Sequence, residues 1–288
     1  MISSKMLLPL AAAAIAIVAS VPVAALQRGL AWPGNVGGRW TGSVAQDQVN
    51  WYHHYDQGGV PGFESISYIP TFYSANLFAQ WNDRKAEMQS YTPPAILAFN
   101  EPDQPSQANM SPDQAAQLWA QELRPYQQRG IQISSPQMSY DLNWLSSFMS
   151  ILANQYGLSP DFIALHFYGS ADDNGLNGLR QYVQNVQNAY PGKRIWFTEL
   201  GVQAANNPSE GQVLNWMHQA MEYLQGTGIV DRVAWFGDFA QNQNPDSYVS
   251  NYNALFSSAD DGSLTSLGND WVHNSNLRRR SLPRRVYA

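Results

Sequence analysis

Two glutamates in this sequence are placed where their carboxylates can act together. Glu101 follows the apolar run Ala95–Phe99 and Asn100, and Glu199 directly follows Ile195–Thr198. Each glutamate then leads into a segment marked by proline or glycine. Cleavage of a glycosidic bond needs two carboxyl groups in different environments, because one donates a proton to the leaving oxygen while the other attacks the anomeric carbon or activates water. A lone strand-end glutamate would as readily form a salt bridge to a nearby loop, but two at matching positions weaken that explanation.

Short apolar runs that resemble buried strands recur along the chain, and helix-like patterns separate most of them. One such pattern begins at Ser111-Pro112-Asp113-Gln114, which is typical of a helix N-terminus. Two others are apolar stripes of helical period, one over Leu176–Tyr190 that ends at Pro191-Gly192 and one over Val213–Leu224 that ends at Gly226. Alternating strands and helices predict βαβ units and a parallel sheet, and eight units match a (β/α)8 barrel of ~250 residues. An open doubly wound sheet is the alternative, but no G-x-G-x-x-G follows the first run. The runs are Gly29–Trp32, Val49–Tyr52, Ser65–Phe72, Ala95–Phe99, Ile131–Ser134, Phe162–Phe167, Ile195–Thr198 and Val233–Phe236.

We therefore predict an α/β fold, a single (β/α)8 TIM barrel, with both glutamates on the catalytic face formed by the carboxyl ends of the strands. The separation of Glu101 and Glu199 corresponds to three β/α units, which places them on strands four and seven, on facing sides of the barrel mouth. Asn100 is suited to bind a sugar 2-hydroxyl, although asparagine is also common in turns.

Several segments resemble glycoside hydrolase family 128. AILAFNEPDQPSQANMSPDQAAQLW is similar to its fourth-strand signature, and DFIALHFYG and RIWFTELGV are similar to its sixth and seventh strands. RGLAWPG and VAWFGDF resemble its first and eighth strands. The segments occur in the right order over residues 28–239, and the long string around Asn100-Glu101-Pro102 is the most specific of them.

The resemblance implies a retaining glycoside hydrolase that cleaves β-1,3-glucan by double displacement, with Glu101 as acid/base and Glu199 as nucleophile. We expect endo action on a β-glucan polysaccharide or oligosaccharide, whereas a blocked cleft would make the enzyme exo-acting, and the loops that decide this cannot be read from the sequence. We expect neither a cofactor nor a metal, because no H-x-x-x-H and no Gly-rich phosphate loop occurs. Leu200 departs from the family pattern, in which an aromatic residue is common there, and this blurs the subgroup without touching the chemistry.

Two other functions stay open at this point. Another clan A β-glycanase, of the mannanase or cellulase type, would use the same chemistry on a different polymer. A catalytically weak glucan-binding barrel is the non-enzymatic alternative, but the presence of both Glu101 and Glu199 argues against it.

Side-chain parity assigns roles to the residues near the glutamates. His166 and Tyr168 share a face of the sixth run, so that His166 points into the barrel and Tyr168 can donate a hydrogen bond that keeps Glu199 ionised. Ordinary core packing of both rings is the alternative. The same reasoning places Trp196 toward the helices, since its parity is opposite to that of Glu199. It also places His53 and His54 on opposite faces of a strand, which rules them out as a metal pair.

Further substrate contacts are predicted at strand ends. Tryptophan rings offer a flat apolar surface to the C–H faces of a pyranose, and core packing is the other explanation for them. Polar side chains after strands four and five could bind sugar hydroxyls or make loop contacts. Together with Asn100, His166 and Tyr168, the predicted binding residues are Trp32, Trp51, Trp235, Asp103 and Gln137.

Composition narrows the class of partner. With 44% hydrophobic and 13% charged residues the chain can build a core, and without cysteine it can form neither disulfides nor a cysteine zinc site. The net charge is −6 although many basic residues cluster at the C-terminal end, so the body is acidic and nucleic acid is excluded as the main partner. The clustered residues are Arg278, Arg279, Arg280, Arg284 and Arg285.

The ends of the chain read as segments outside the barrel. Residues 1–25 resemble a signal peptide, residues 26–275 form the catalytic domain, and residues 276–288 are a basic tail. An uncleaved signal anchor is the alternative for the first segment. We expect a secreted, extracellular monomer, associated with a cell wall or free, and without stable membrane association after signal cleavage.

Overall fold

A computed structural model describes residues 25–33, 38–44, 48–56 and 58–278 of the 288-residue chain. The predicted signal peptide, apart from its last residue, and the basic tail beyond Arg278 lie outside these residues. Within them, no helix is both long and apolar enough to cross a membrane.

Eight parallel strands form a closed barrel. Neighbours pair in the order β3-β2-β1-β8-β7-β6-β5-β4. A parallel bridge between Thr71 and Leu97 joins the two ends of this order, where the Phe72 amide donates to the Leu97 carbonyl over 2.9 Å. The predicted (β/α)8 TIM barrel is therefore confirmed. Its strands are β1 Gln27–Trp32, β2 Val49–His54, β3 Ser67–Tyr68, β4 Ala95–Ile96, β5 Gln132–Met138, β6 Phe162–Gly169, β7 Arg194–Val202 and β8 Val230–Trp235.

Helices cover the outside of the barrel. The predicted N-cap is present, since the Ser111 hydroxyl accepts from the Gln114 amide, and a π turn at Trp119–Leu123 links α3 to α4. Predicted apolar stripes of α6 and α7 face the strands. Gly228, with a φ of 67°, ends α7, rather than the predicted Gly226. The helices are α1 Thr41–Val44, α2 Phe78–Glu87, α3 Pro112–Leu118, α4 Arg124–Gln127, α5 Leu142–Tyr156, α6 Asp173–Ala189, α7 Glu210–Thr227 and α8 Ser266–His273.

A separate apolar cluster fills the inside of the barrel. Its large members stack, with the Trp196 and Phe162 ring centroids 3.9 Å apart, and the Arg232 guanidinium lies 4.2 Å from the Trp196 centroid. Small residues on neighbouring strands make room for these rings, as expected where side chains must fill a narrow barrel. The cluster contains Ala31, Trp51, Ile69, Ala95, Leu97, Phe162, Ala164, Trp196 and Ala234.

The prediction that Trp196 faces the helices is wrong, and a β-bulge explains why. Phe197 pairs with Leu165 and Glu199 pairs with the next residue of β6, His166, so β7 carries one extra residue at Thr198. Such a bulge breaks the alternation of side chains along a strand. Trp196 and Glu199 can therefore both face the barrel interior, with Trp196 deeper and Glu199 at the mouth.

A buried arginine connects the first strand to the last helix. The Arg28 guanidinium donates to the carbonyls of Asp270, Trp271 and Asn274 over 2.6–2.9 Å. A cation is favourable at this position because the last carbonyls of a helix carry partial negative charge.

Replacing Arg28 by Met should lower the free energy of unfolding by about 2–4 kcal/mol, since one buried and two partly buried carbonyls would lose a charged donor. Urea unfolding followed by tryptophan fluorescence measures the change. The matched control is Arg180→Met, because Arg180 is exposed on α6 and its loss should cost within roughly 0.5 kcal/mol. Equal stability of the two variants would contradict the structural role of Arg28.

Candidate active site

The fold brings the two predicted glutamates together. Glu101 lies just beyond β4 and Glu199 lies in β7, both at the mouth of the barrel. One carboxylate oxygen of each, together with the Nδ1 atom of His166, lie within 4.8 Å of one another. The side chain of Glu199 is 8% exposed and that of Glu101 is 14% exposed. The acidic pair is thus shielded from bulk water but can be reached from the mouth.

Glu101 has a strained backbone. Its φ of 43° lies in the left-handed region, which side-chain-bearing residues seldom adopt. The Glu101 amide donates to the Gln137 carbonyl over 2.9 Å, and its carbonyl accepts from the Gln104 amide over 3.0 Å. These bonds hold the turn in a conformation that costs energy, and such strain is characteristic of functional sites.

Glu199 is held by two phenols. Tyr55 donates to Oε1 over 2.7 Å, and Tyr168 donates to Oε2. The predicted bond from Tyr168 is therefore confirmed. Sequence reasoning missed Tyr55, which lies one residue beyond β2. Its parity with Trp51 and His53, both of which belong to the inward face of β2, was a signal that could have found it.

His166 lies between the two carboxylates. Its Nδ1 atom is 2.8 Å from Oε1 of Glu101 and 3.3 Å from Oε2 of Glu199. Burial by itself lowers the pKa of His166, but the negative charge of Glu199 and the hydrogen bond and charge of Glu101 outweigh it, and the pKa is raised. Because the ring is completely buried, His166 contacts the carboxylates and not a substrate, which corrects its predicted binding role.

Burial raises the pKa of Glu199, and the nearby charge of Glu101 acts in the same direction. His166 and the hydrogen bonds from Tyr168 and Tyr55 oppose this rise. A carboxyl with a raised pKa is ionised only above that pKa. The two phenols and the histidine therefore extend the pH range in which Glu199 is ionised.

Glu101, His166 and Glu199 are also of types that bind metal ions. Their atoms are already engaged, however, because Nδ1 bonds Glu101 and both oxygens of Glu199 accept from phenols. This arrangement fits acid–base and nucleophilic chemistry better than a cation site.

Asn100 lies beside Glu101 as predicted. Its Nδ2 is 3.4 Å from Oε1 of Gln107, which also accepts from the Tyr73 hydroxyl. Its Oδ1 has no hydrogen-bond partner among the described residues. Asn100 is only 3% exposed, and its contact with a sugar 2-hydroxyl stays a prediction.

The two other polar residues predicted to bind sugar support the site from behind. Asp103 accepts from the Ser139 hydroxyl over 2.6 Å and from the amides of Tyr140 and Asp141, so it fastens the loop after β5. Gln137 is completely buried and donates to the Ala98 carbonyl over 2.8 Å. Both make the loop and strand contacts that were the alternative to sugar binding.

The prediction that Trp32, Trp51 and Trp235 line the cleft is wrong, because all three side chains are completely buried. Trp51 fills the barrel interior. Trp32 packs edge-on against Phe63, and the Trp235 indole donates to the Asn253 carbonyl beneath the surface. A ring without an exposed face cannot stack on a pyranose.

Two exposed tyrosines occupy the positions expected for substrate contacts, and sequence reasoning missed both. Tyr140, after β5, is 70% exposed, and Tyr248, after β8, is 54% exposed. The Tyr248 ring lies edge-on to Tyr168, and its hydroxyl accepts from Gln203 over 2.7 Å. Their location in loops after strands was the available signal, since such loops carry the active sites of barrels.

Comparison with known proteins identifies the family. The model of a family described as "Glycosyl hydrolase catalytic core" matches residues 29–271. The chain belongs to this family. It is 30% identical over 255 residues to Alkali-sensitive linkage protein 1 of Schizosaccharomyces pombe, over 85% of this chain and 44% of that protein. The chain therefore spans less than half the length of this relative.

Solved structures confirm the resemblance to glycoside hydrolase family 128. A curdlan-specific exo-β-1,3-glucanase from Blastomyces gilchristii, in complex with glucose, is 26% identical with a TM-score of 0.67, over 86% of this chain and 97% of that one. An endo-β-1,3-glucanase from Amycolatopsis mediterranei, in complex with laminaritriose, is 26% identical with a TM-score of 0.68, over 85% of this chain and 98% of that one. An exo-β-1,3-glucanase from Aureobasidium namibiae shares the fold at 21% identity, with a TM-score of 0.72, over 86% of this chain and 96% of that one.

Removing either phenol should move the acidic limb of the kcat/KM profile to higher pH. In Tyr55→Phe and Tyr168→Phe, ionised Glu199 loses a donor that lowers its pKa, so its pKa rises further and the active form is lost sooner as the pH falls. A hydrogen bond to a charged group corresponds to a displacement of about one pH unit. Rates of glycoside cleavage between pH 3 and pH 8 give the profile.

Tyr223→Phe is the matched control, because this phenol lies on α7 away from the barrel mouth and bonds only the Arg180 carbonyl in the described structure. Its profile should coincide with that of the unmodified protein. Acidic limbs at the same pH in all four proteins would disprove the role of the two phenols.

Proposed function

We propose that the chain hydrolyses β-1,3-glucan by a retaining double displacement, with Glu199 as the nucleophile and Glu101 as the acid/base. The observation that carries this proposal is the close pair of glutamate carboxylates at the mouth of a glycosyl hydrolase barrel. The substrate is supported by the two relatives at 26% identity, which are β-1,3-glucanases and hold glucose or laminaritriose.

The separation of the carboxylates supports retention. Retaining enzymes hold the two groups about 5–5.5 Å apart, whereas inverting enzymes leave about 6.5–9.5 Å so that water can enter between them. Oxygen atoms of Glu101 and Glu199 lie within 4.8 Å of each other. This gap favours direct attack on the sugar by one carboxylate.

The surroundings of the glutamates support their separate roles. Glu199 is the more buried, and two phenols hold both of its oxygens, which suits a nucleophile that must stay ionised and still. Glu101 is the more exposed, on the turn after β4, where a leaving group and then a water molecule can approach it.

The reaction then follows in two steps. Glu199 attacks the anomeric carbon while Glu101 gives its proton to the glycosidic oxygen, which releases one part of the glucan and leaves a glycosyl ester on Glu199. Glu101, now ionised, takes a proton from water as that water attacks the same carbon, and Glu199 is released as a carboxylate. His166, with its raised pKa, moderates the repulsion between the two glutamates when both are negative.

Endo action is part of the proposal. Tyr140 lies on the Glu101 side of the site, where Asp103 fastens its loop, and Tyr248 lies on the Glu199 side against Tyr168. Exposed aromatic rings on both sides of the acidic pair suit a glucan chain that extends beyond the cleaved bond in both directions. The solved relatives include both endo and exo enzymes.

We also propose that the protein acts outside the cell as a monomer. Support for the location comes from the signal-like sequence of residues 1–25. The mass and N-terminal sequence of protein recovered from culture medium test this part separately from the chemistry.

The central test measures sugar release from linear β-1,3-glucan, mixed-linkage glucan, cellulose and mannan. Release of short oligosaccharides from β-1,3-glucan alone is the expected result, with a loss greater than roughly 10³-fold in Glu199→Gln and about 10²–10⁴-fold in Glu101→Gln. Glu222→Gln, an exposed glutamate on α7, should keep full activity.

Other outcomes separate the alternatives. Release of glucose alone would replace endo by exo action. Activity on mannan or cellulose would keep the mechanism and discard the substrate. Binding of glucan without turnover would identify the chain as a glucan-binding barrel.

Stereochemistry is tested by proton NMR during the first minutes of hydrolysis. Double displacement inverts the anomeric carbon twice, so the product should first appear as the β anomer and then mutarotate. An initial α anomer would show single displacement and rule out Glu199 as a nucleophile.

A further inference from the structure

The β-bulge of β7 exposes a backbone carbonyl to the barrel interior. Thr198 is the extra residue on β7 relative to β6, and relative to β8 an extra residue again falls between Phe197 and Leu200. The carbonyl of Thr198 accepts a hydrogen bond from Nε2 of His53 over 2.8 Å. His53 belongs to β2, three strands away in the sheet order, so this bond crosses the barrel.

The geometry defines the protonation of the imidazole. A carbonyl oxygen only accepts, so Nε2 carries the hydrogen. Nδ1 is buried and has no partner within the described ranges. Burial lowers the pKa of His53 to about 3, against the opposing effect of the Thr198 bond. The ring is therefore neutral at any pH suited to glycoside cleavage, and its bond to β7 does not titrate there.

The same strand also reaches the Glu199 side chain. Tyr55, two residues after His53, donates to Oε1 of Glu199, and the two rings lie edge to face with centroids 5.4 Å apart. β2 and the residue beyond it therefore hold the nucleophile at two points, the backbone just before it and the carboxylate itself.

We propose that His53 is a positioning residue for Glu199. By donating Nε2–H to the bulge carbonyl of Thr198, it sets the direction in which the Glu199 side chain projects from β7. The inference rests on the proposed function of Glu199. Glu199 directly follows Thr198, so a rotation of the unsupported bulge would displace the carboxylate from Tyr55 and Tyr168. A displacement of ~1 Å in an active site costs about 100-fold in rate.

The alternative explanation is that His53 only packs in the hydrophobic core. Replacement of His53 by Gln or by Asn, which both carry a side-chain amide, distinguishes this explanation from the positioning role. The amide nitrogen of Gln is as many bonds from Cα as Nε2 of His, so His53→Gln can still donate to Thr198. The shorter amide of His53→Asn ends near the position of Nδ1, away from that carbonyl.

The expected result is that His53→Asn lowers kcat by about 100-fold with KM within roughly threefold of the unmodified enzyme, while His53→Gln stays within about threefold in kcat. In a carbon-13 NMR titration, the Glu199 carboxyl should titrate at higher pH in His53→Asn and near its original position in His53→Gln. A loss of thermal stability without these changes would overturn the proposal.

His54→Asn is the matched control. His54 is also buried and also bonds a backbone carbonyl, that of Gly58, but it points away from the barrel interior. It should lower the melting temperature as His53→Asn does and leave kcat and the Glu199 titration unchanged. An equal loss of kcat in His54→Asn would show that destabilisation alone explains the effect.

Two readouts do not need the variants or the activity. Nitrogen-15 NMR of the unmodified protein should place the His53 proton on Nε2, and a proton on Nδ1 would overturn the inference even if neither variant folded. If the unmodified protein fails to cleave glucan, the proposed function fails, while the Glu199 titration in the two His53 variants still decides whether His53 positions that residue.

Discussion

The structure depends on one electrostatic constraint: two carboxylates are held within 4.8 Å of each other in a site largely closed to water. Like charges at that distance repel strongly when water cannot screen them. The protein offsets this repulsion with His166 between the carboxylates and with the phenols of Tyr55 and Tyr168 on Glu199. His166 and Tyr168 come from β6 beside β7, whereas Tyr55 follows β2 on the other side, so the closure of the barrel brings the three groups to one point.

Most aromatic rings of the chain serve this framework and not the substrate. Trp51, Trp196 and Phe162 fill the barrel below the site, while Trp32 and Trp235 pack between the strands and the outer layer. Trp51 and Trp196 of this packing belong to β2 and β7, so it supports both strands directly below the carboxylates. The exposed rings lie at the mouth, where Tyr140 and Tyr248 are on loops.

Local patterns in the sequence predicted much of this arrangement, for reasons that particular residues illustrate. The glutamates after the fourth and seventh runs, the Ser111 cap and the stripe of α6 depend on short-range periodicity, and each was confirmed. Trp196 was misplaced because a single extra residue at Thr198 reverses parity without leaving a sign in the composition of β7. The prediction that three tryptophans line the cleft was wrong for a different reason. An apolar ring at a strand end suits both a buried and a sugar-binding position.

The sequence by itself determined the barrel, the strand-end position of both glutamates and the chemical class they serve, because the hydrophobic period and the turn residues are local properties of the chain. Side-chain parity also predicted the bond from Tyr168, but only the tertiary structure decided the other contacts of those glutamates. Tyr55 and His53 reach across the barrel, to the Glu199 carboxylate 144 residues later and to the Thr198 carbonyl 145 residues later. His166 reaches Glu199 from the neighbouring strand β6. Hydrogen bonds of that kind depend on the closure of the sheet and on the bulge at Thr198, and no periodicity along the chain records either.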